Sequence, residues 1–206
     1  MVRSFVVSLF FCSFASAAAM PVPGLVMGKP TYTGSGCPQG SLSATLSPDS
    51  LALSVLFDQF QLSLGSGGPK RGLVTCELTI PFRAPGNYKA TLVRAEYRGF
   101  MFAPTGARLT FSSTVGFYGP NTLPLPPTFP VSTIETFQGP VDQEVFMTGM
   151  NRGGFSSCGG GTVFLKTAVG ISGNTNPANE QVLAQLESGD VSTQPIVYHL
   201  NWQKCR

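Results

Sequence analysis

Apolar side chains recur at every second position over most of this 206-residue chain, and that period favours strands. Leu51, Leu53, Val55 and Phe57 share one parity, and Phe60, Leu62 and Leu64 continue in the opposite one. Successive strand residues point to opposite faces, so a parity change inside one apolar run requires an extra residue. A β-bulge or bend is therefore expected at Asp58 and Gln59. The next strand is expected over 73–80, with Val74, Cys76, Leu78 and Ile80 inward and Pro81 ending it. Residues 88–97 read as a strand with mixed faces. Ala107, Leu109, Phe111, Val115 and Phe117 share a parity, with Gly116 marking a bulge near the end. Residues 131–138, 143–148 and 162–171 read as further strands, and Ile196, Tyr198, Leu200 and Trp202 line one face of the last.

Residues 177–189 (PANEQVLAQLESG) support two readings. Asn176, Pro177 and Gly189 would suit the ends of a helix, while Val182, Ala184 and Leu186 alternate as a strand does. Residues 119–130 (GPNTLPLPPTFP) hold five prolines, which cannot pair within a sheet, so a rigid polyproline-like crossover is expected there. Eight or nine strands without βαβ alternation predict an all-β chain: an antiparallel β-sandwich, jelly-roll-like, ahead of a closed β-barrel.

The N-terminus sets the compartment. Arg3 precedes the apolar run 5–14 (FVVSLFFCSF), too short to span a bilayer, and small residues at 15–19 offer cleavage sites. Residues 1–19 thus read as a signal peptide with no membrane anchor, residues 20–30 as an extended arm or propeptide, and 31–206 as a single domain. Secretion, to the extracellular space or the cell wall, follows. Only 11% of residues are charged, and removing Arg3 leaves twelve Lys and Arg against ten Asp and Glu. No basic stripe suited to nucleic acid is present.

Cys12 departs with the leader, leaving Cys37, Cys76, Cys158 and Cys205. An even number in an oxidising compartment implies two bridges, and three connectivities are open. Pairing Cys37 with Cys76 and Cys158 with Cys205 is favoured, since each pair lies within its own half of the chain and ties a loop end to a strand. With no CxxC and a single histidine, neither a metal nor a cofactor is expected.

Several segments together, GSGCPQGSLSATLSPDSLALSVLFDQF, VTCELTIPF, YRGF, SSCGGGT and HLNWQKC, resemble a family of secreted proteins frequent in filamentous fungi and found in some bacteria, domain of unknown function 4360. The resemblance covers nearly the whole mature chain. It implies extracellular location, a β-rich fold, four paired cysteines at the positions above, and no assigned activity. The Pro-rich middle and the shorter approach to Cys76 depart from the family pattern.

Common chemistries find little support. His199 is the only histidine, and without a GxSxG elbow it reads as an exposed strand residue rather than a triad base. Glycosidases need two carboxylates, and Asp49, Asp58, Glu77, Glu96, Glu135, Asp142 and Glu144 are candidates that equally read as a solvated face. Asp142 and Glu144 share a face and suit a Ca²⁺ site with backbone carbonyls, but no calcium-loop pattern accompanies them. The Gly-rich 34–41 lacks the Lys and following helix of a phosphate loop and reads as a turn holding a disulfide. Asp58 and Arg98, charges inside apolar runs, are expected to pair with each other or to lie exposed at a bulge. Tyr97, Phe100, Phe102, Phe117 and Tyr118 offer rings to a sugar, although sixteen Phe against five Tyr and one Trp is a core-like ratio. Tyr97, Arg98, Phe100 and Tyr118 are the candidate binding residues. The function these readings favour is non-catalytic binding of polysaccharide or an extracellular protein by a monomer, ahead of a carboxylate hydrolase or a structural, effector-like protein.

Overall fold

Alternation in the sequence becomes burial in space. The computed structural model describes residues 22–118, 130–151, 155–156, 158, 161–186 and 196–205. The expected leader at 1–19, nearly all of the Pro-rich 119–130 and much of the glycine-rich turn at 153–161 lie outside the described residues. Among the described residues there are thirteen strands and no helix. They are β1 (Val26–Met27), β2 (Thr31–Thr33), β3 (Leu42–Leu46), β4 (Ala52–Phe57), β5 (Gln61–Leu64), β6 (Arg71–Ala84), β7 (Tyr88–Ala103), β8 (Arg108–Tyr118), β9 (Val131–Gln138), β10 (Val141–Met150), β11 (Gly161–Asn174), β12 (Val182–Leu186) and β13 (Ile196–Lys204).

They form two antiparallel sheets packed face to face, a sandwich rather than a closed barrel. A six-stranded sheet runs β1-β6-β11-β8-β9 with β2 also on β6, and a seven-stranded sheet runs β3-β4-β13-β7-β12-β5 with β10 also on β7. The strands beyond the expected eight or nine are mostly short N-terminal ones. β1 lies in the Pro- and Gly-rich arm, where pairing to β6, not local pattern, makes the strand.

The expected parity change is present: Leu53, Val55 and Phe57 are buried on β4, Phe60, Leu62 and Leu64 are buried around β5, and Asp58 lies exposed at the break. The mixed faces of β7 have a similar cause. His199 pairs with Arg94 but Leu200 with Leu92, so Val93 is an extra residue. Before it Ala90 and Leu92 point inward; after it Ala95, Tyr97, Met101 and Ala103 do.

Two sequence expectations are corrected, at Pro81 and Gly116, and one open choice is resolved. β6 does not stop at Pro81 but continues to Ala84, with Pro81 opposite Phe164. The Pro81 carbonyl accepts from the Gly28 N–H, so the proline's missing donor faces the gap between β1 and β2, where no ladder bond is required. Gly116 makes no bulge, since β8 keeps one register against β11 from Arg108 to Tyr118. Within the described part of 177–189, Val182–Leu186 is a strand and no helix is present. Val182, Ala184 and Leu186 bury one face of β12 between β5 and β7, and the Asn176 side chain pins a turn by donating to the Thr105 carbonyl and accepting from the Glu180 N–H.

Between the sheets, two tyrosines of the seven-stranded sheet reach hydroxyls of the other: Tyr97 shares a hydrogen bond of 2.7 Å with Ser113, and Tyr198 one of 3.0 Å with Thr167. The Tyr97 ring also packs 4.9 Å from Phe111. Toward one end Trp202 sits edge-on to Phe82 and Phe117 and donates its indole N–H to the Ser50 carbonyl. At the far edge of the six-stranded sheet, Glu135 on β9 has the inward parity of Val131 and Thr133 yet is exposed.

Burial raises both tyrosine hydroxyls, Tyr97 to about 12 and Tyr198 well above its ordinary value, with the desolvation only partly offset for Tyr97 by Ser113. A group with a raised folded pKa supports the fold below its unfolded pKa and loses that support as pH climbs toward the folded one. Stability should therefore hold to about pH 9–10 and then fall by about 1.4 kcal/mol per unit of delayed ionisation for each tyrosine. Tyrosinate absorbance should lag in the folded protein and rise with unfolding. Tyr97→Phe should shrink the alkaline lag and cost about 1–2 kcal/mol in urea denaturation at neutral pH by orphaning Ser113.

Cys37 bonds Cys76, and Cys158 bonds Cys205, with sequence separations of 39 and 47. Loop entropy assigns the two nearly equal stabilisation, about 4 kcal/mol each. Access differs: Cys37 and Cys76 are both 1% exposed, whereas Cys158 is on the surface. Graded thiol treatment with peptide mass mapping should open Cys158–Cys205 first; equal rates would show that burial does not protect the other bond.

Candidate functional site

The candidate binding residues do not gather on one surface. Tyr97 is 0% exposed, its ring committed to the core, so it offers no platform to a ligand. Phe117 is likewise buried. Tyr118 lies on the outer face of the six-stranded sheet, with Lys166 Nζ 4.7 Å over its ring and partial burial raising its hydroxyl pKa. Arg98 and Phe100 lie on the outer face of the other sheet. The expected Asp58–Arg98 pair is not made: Arg98 instead stacks on Phe146, its guanidinium carbon 5.0 Å from the ring centroid.

Beyond the Val93 bulge, the even residues of β7 from Arg94 to Phe102 point outward. β10 flanks one edge of β7 through Arg94–Ala103, while β13 and β12 lie end to end along the other. This register sets side chains in rows. Phe100 has Glu144 on one side and Gln185 on the other; Phe102 has Asp142 and Leu183; Arg98 has Phe146. Neighbouring strands are about 4.8 Å apart, so a partly exposed ring is flanked at hydrogen-bonding reach by a carboxylate and an amide. Phe146, 54% exposed, completes the patch. It was legible only as an aromatic on the polar parity of β10, among Asp142, Glu144 and Thr148.

At the β13 end of this face, Arg94 Nη2 pairs with Glu96 Oε1 at 2.7 Å, and His199 Nε2 lies 3.4 Å from both partners. His199 is held beside an ion pair, with Arg94 and Glu96 as its neighbours rather than a serine hydroxyl. Asp49 is held below the usual carboxylate range by the Ser47 hydroxyl and the Leu51 N–H, which makes it an ionised turn residue. Among the described residues, no three His, Cys, Asp or Glu side chains come together as a metal site. Asp142 and Glu144 stand exposed on β10 rather than at the base of a cleft. Fixed rings beside hydrogen-bonding groups on paired strands suit recognition of a ligand with apolar faces and polar edges.

The family described as "Domain of unknown function (DUF4360)" matches residues 24–205. An "Uncharacterized secreted protein" of Arthroderma benhamiae is 30% identical over 180 residues, covering 85% of this chain and 69% of that one. Among solved structures, TmCBM61 in complex with beta-1,4-galactotriose aligns over 89% of this chain and 90% of its own, with 11% identity and a TM-score of 0.31. That likeness is too loose to bear on ligand or function.

The Arg94–Glu96–His199 cluster is partly solvated, with the Arg94 side chain 43% exposed, so its ion pair contributes little to folding. Arg94→Ala should lower stability by less than about 1 kcal/mol in chemical denaturation. A larger loss would mark the cluster as a structural clasp.

Proposed function

We propose that this chain, which belongs to the DUF4360 family and is secreted, acts as a non-catalytic binding module whose ligand is polysaccharide, held on the outer face of β7, β10 and β12. The observation that carries the reading is the row Glu144, Phe100, Gln185, a partly exposed ring with a hydrogen-bonding side chain on each flank. A sugar ring presents CH groups on its faces and hydroxyls around its rim. Stacking on Phe100 would bury the former while Glu144 and Gln185 meet the latter, a division of labour between apolar and polar atoms common to ligand sites. The supports are strands hydrogen-bonded on both edges of β7, so the rings are preorganised and little ordering entropy opposes binding.

An extracellular protein partner is the second reading, favoured by the exposure of Phe146 at 54% and Met150 at 68% on the same strand. Hydrolysis has weaker support, because Asp142 and Glu144 stand in the open, where water is not excluded from a reacting bond, and Glu96 is tied to Arg94.

The test is sedimentation of purified mature protein with insoluble cellulose, chitin and β-1,3-glucan. The expected result is retention by at least one of them, with Phe100→Ala weakening it about tenfold or more, the scale of a central contact residue. Retention by none, or equal retention of Phe100→Ala and wild type, would overturn the reading.

A further inference from the structure

The opposite face of the sandwich carries a groove that the first site does not use. On the six-stranded sheet, β11 lies between β6 and β8, and its outward residues midway along are Ala168 and Gly170, which have almost no reach. The neighbours do: Thr75, Glu77 and Thr79 stand along β6, and Ser112 and Thr114 along β8. The result is a trough with a floor of small residues and walls of hydroxyls. Two shallow hollows of about 290 and 320 Å³ lie along it, and they share Glu77, Thr114 and Ala168, so the groove is continuous. The backbones of its two walls stand two strand spacings apart, about 9.5 Å, with Thr75 and Ser112 leaning toward each other above Gly170, and the run from Leu73 to Thr79 is about 20 Å long. The stacked Lys166 and Tyr118 close one end.

From these features we infer that the trough is a second saccharide subsite, taking a single extended strand of neutral polysaccharide. The chemistry of the walls selects that occupant. One carboxylate, Glu77, and one ammonium, Lys166, leave the lining without net charge, so a polyanion gains nothing there. Threonine and serine hydroxyls donate and accept alike, which matches a ligand whose rim groups do the same. Among the described residues that line the groove, Leu73 is the exposed large aliphatic side chain, with Ile134 one strand away beside Ser112, too little apolar surface for an amphipathic peptide. The inference rests on the protein's binding glycans, and it adds a site on the far side of the sandwich, so that one molecule grips two strands.

Isothermal titration of the full mature chain with cellohexaose, laminarihexaose and mannohexaose, and with hexagalacturonate as the charged comparator, tests it. Phe100→Ala should retain binding of at least one neutral hexaose. Adding Ala168→Leu, which fills the floor from an exposed position, should weaken that residual binding about tenfold or more. Thr79→Val with Thr114→Val, which removes hydroxyls at nearly constant shape, should do the same with an unchanged melting temperature. If Phe100→Ala abolishes all binding, the first site stands and the trough is not a site. Residual affinity untouched by the trough variants, or tighter binding of hexagalacturonate, also overturns it. If wild type binds no neutral hexaose, the trough inference falls, while the first site stands or falls by the sedimentation test.

Discussion

Two hydroxyl pairs set how the sheets of this protein stack. A tyrosine ring is large enough to fill the space between layers, but its hydroxyl cannot be left without a partner in an apolar interior. Tyr97 and Tyr198 both extend from the seven-stranded sheet, and both find their partners, Ser113 and Thr167, on the other. Sliding one sheet over the other by a residue would break both bonds and bury four orphaned hydroxyls. Hydrophobic burial brings the sheets together, and these bonds choose the alignment.

The local rules of strand geometry made much of this readable from the residues. The phase change at Asp58 and Gln59 required a break because side-chain period is fixed at two, and a break is there. The final strand needed no context, since Ile196, Tyr198, Leu200 and Trp202 alternate without interruption. What could not be read came from pairing. The Val93 bulge is defined by the mismatch between β7 and β13, and without it the inward turn of Tyr97 was hidden among mixed faces. Pro81 looked like a terminator because its tolerance depends on a gap between two other strands. β1 and β2 are too short to announce themselves by any pattern.

The candidate site was legible in part for the same reason. Arg98 and Phe100 do share an exposed face, as residues two apart on a strand must, but Tyr97 between them points to the core and Tyr118 belongs to the other sheet. The flanking Glu144 and Gln185 lie 44 and 85 positions from Phe100 in the sequence. Only the register joins them.

Glu135 stands on β9, the last strand in the order of the six-stranded sheet among the described residues. An open sheet border is a template on which another chain can add a strand, and proteins released into confined, concentrated surroundings meet many such chains. A carboxylate where an apolar side chain would complete the layer makes that addition costly, since an incoming strand would have to strip the charge of water. In a molecule built almost entirely of ribbons, this charge is a local barrier to strand addition at β9.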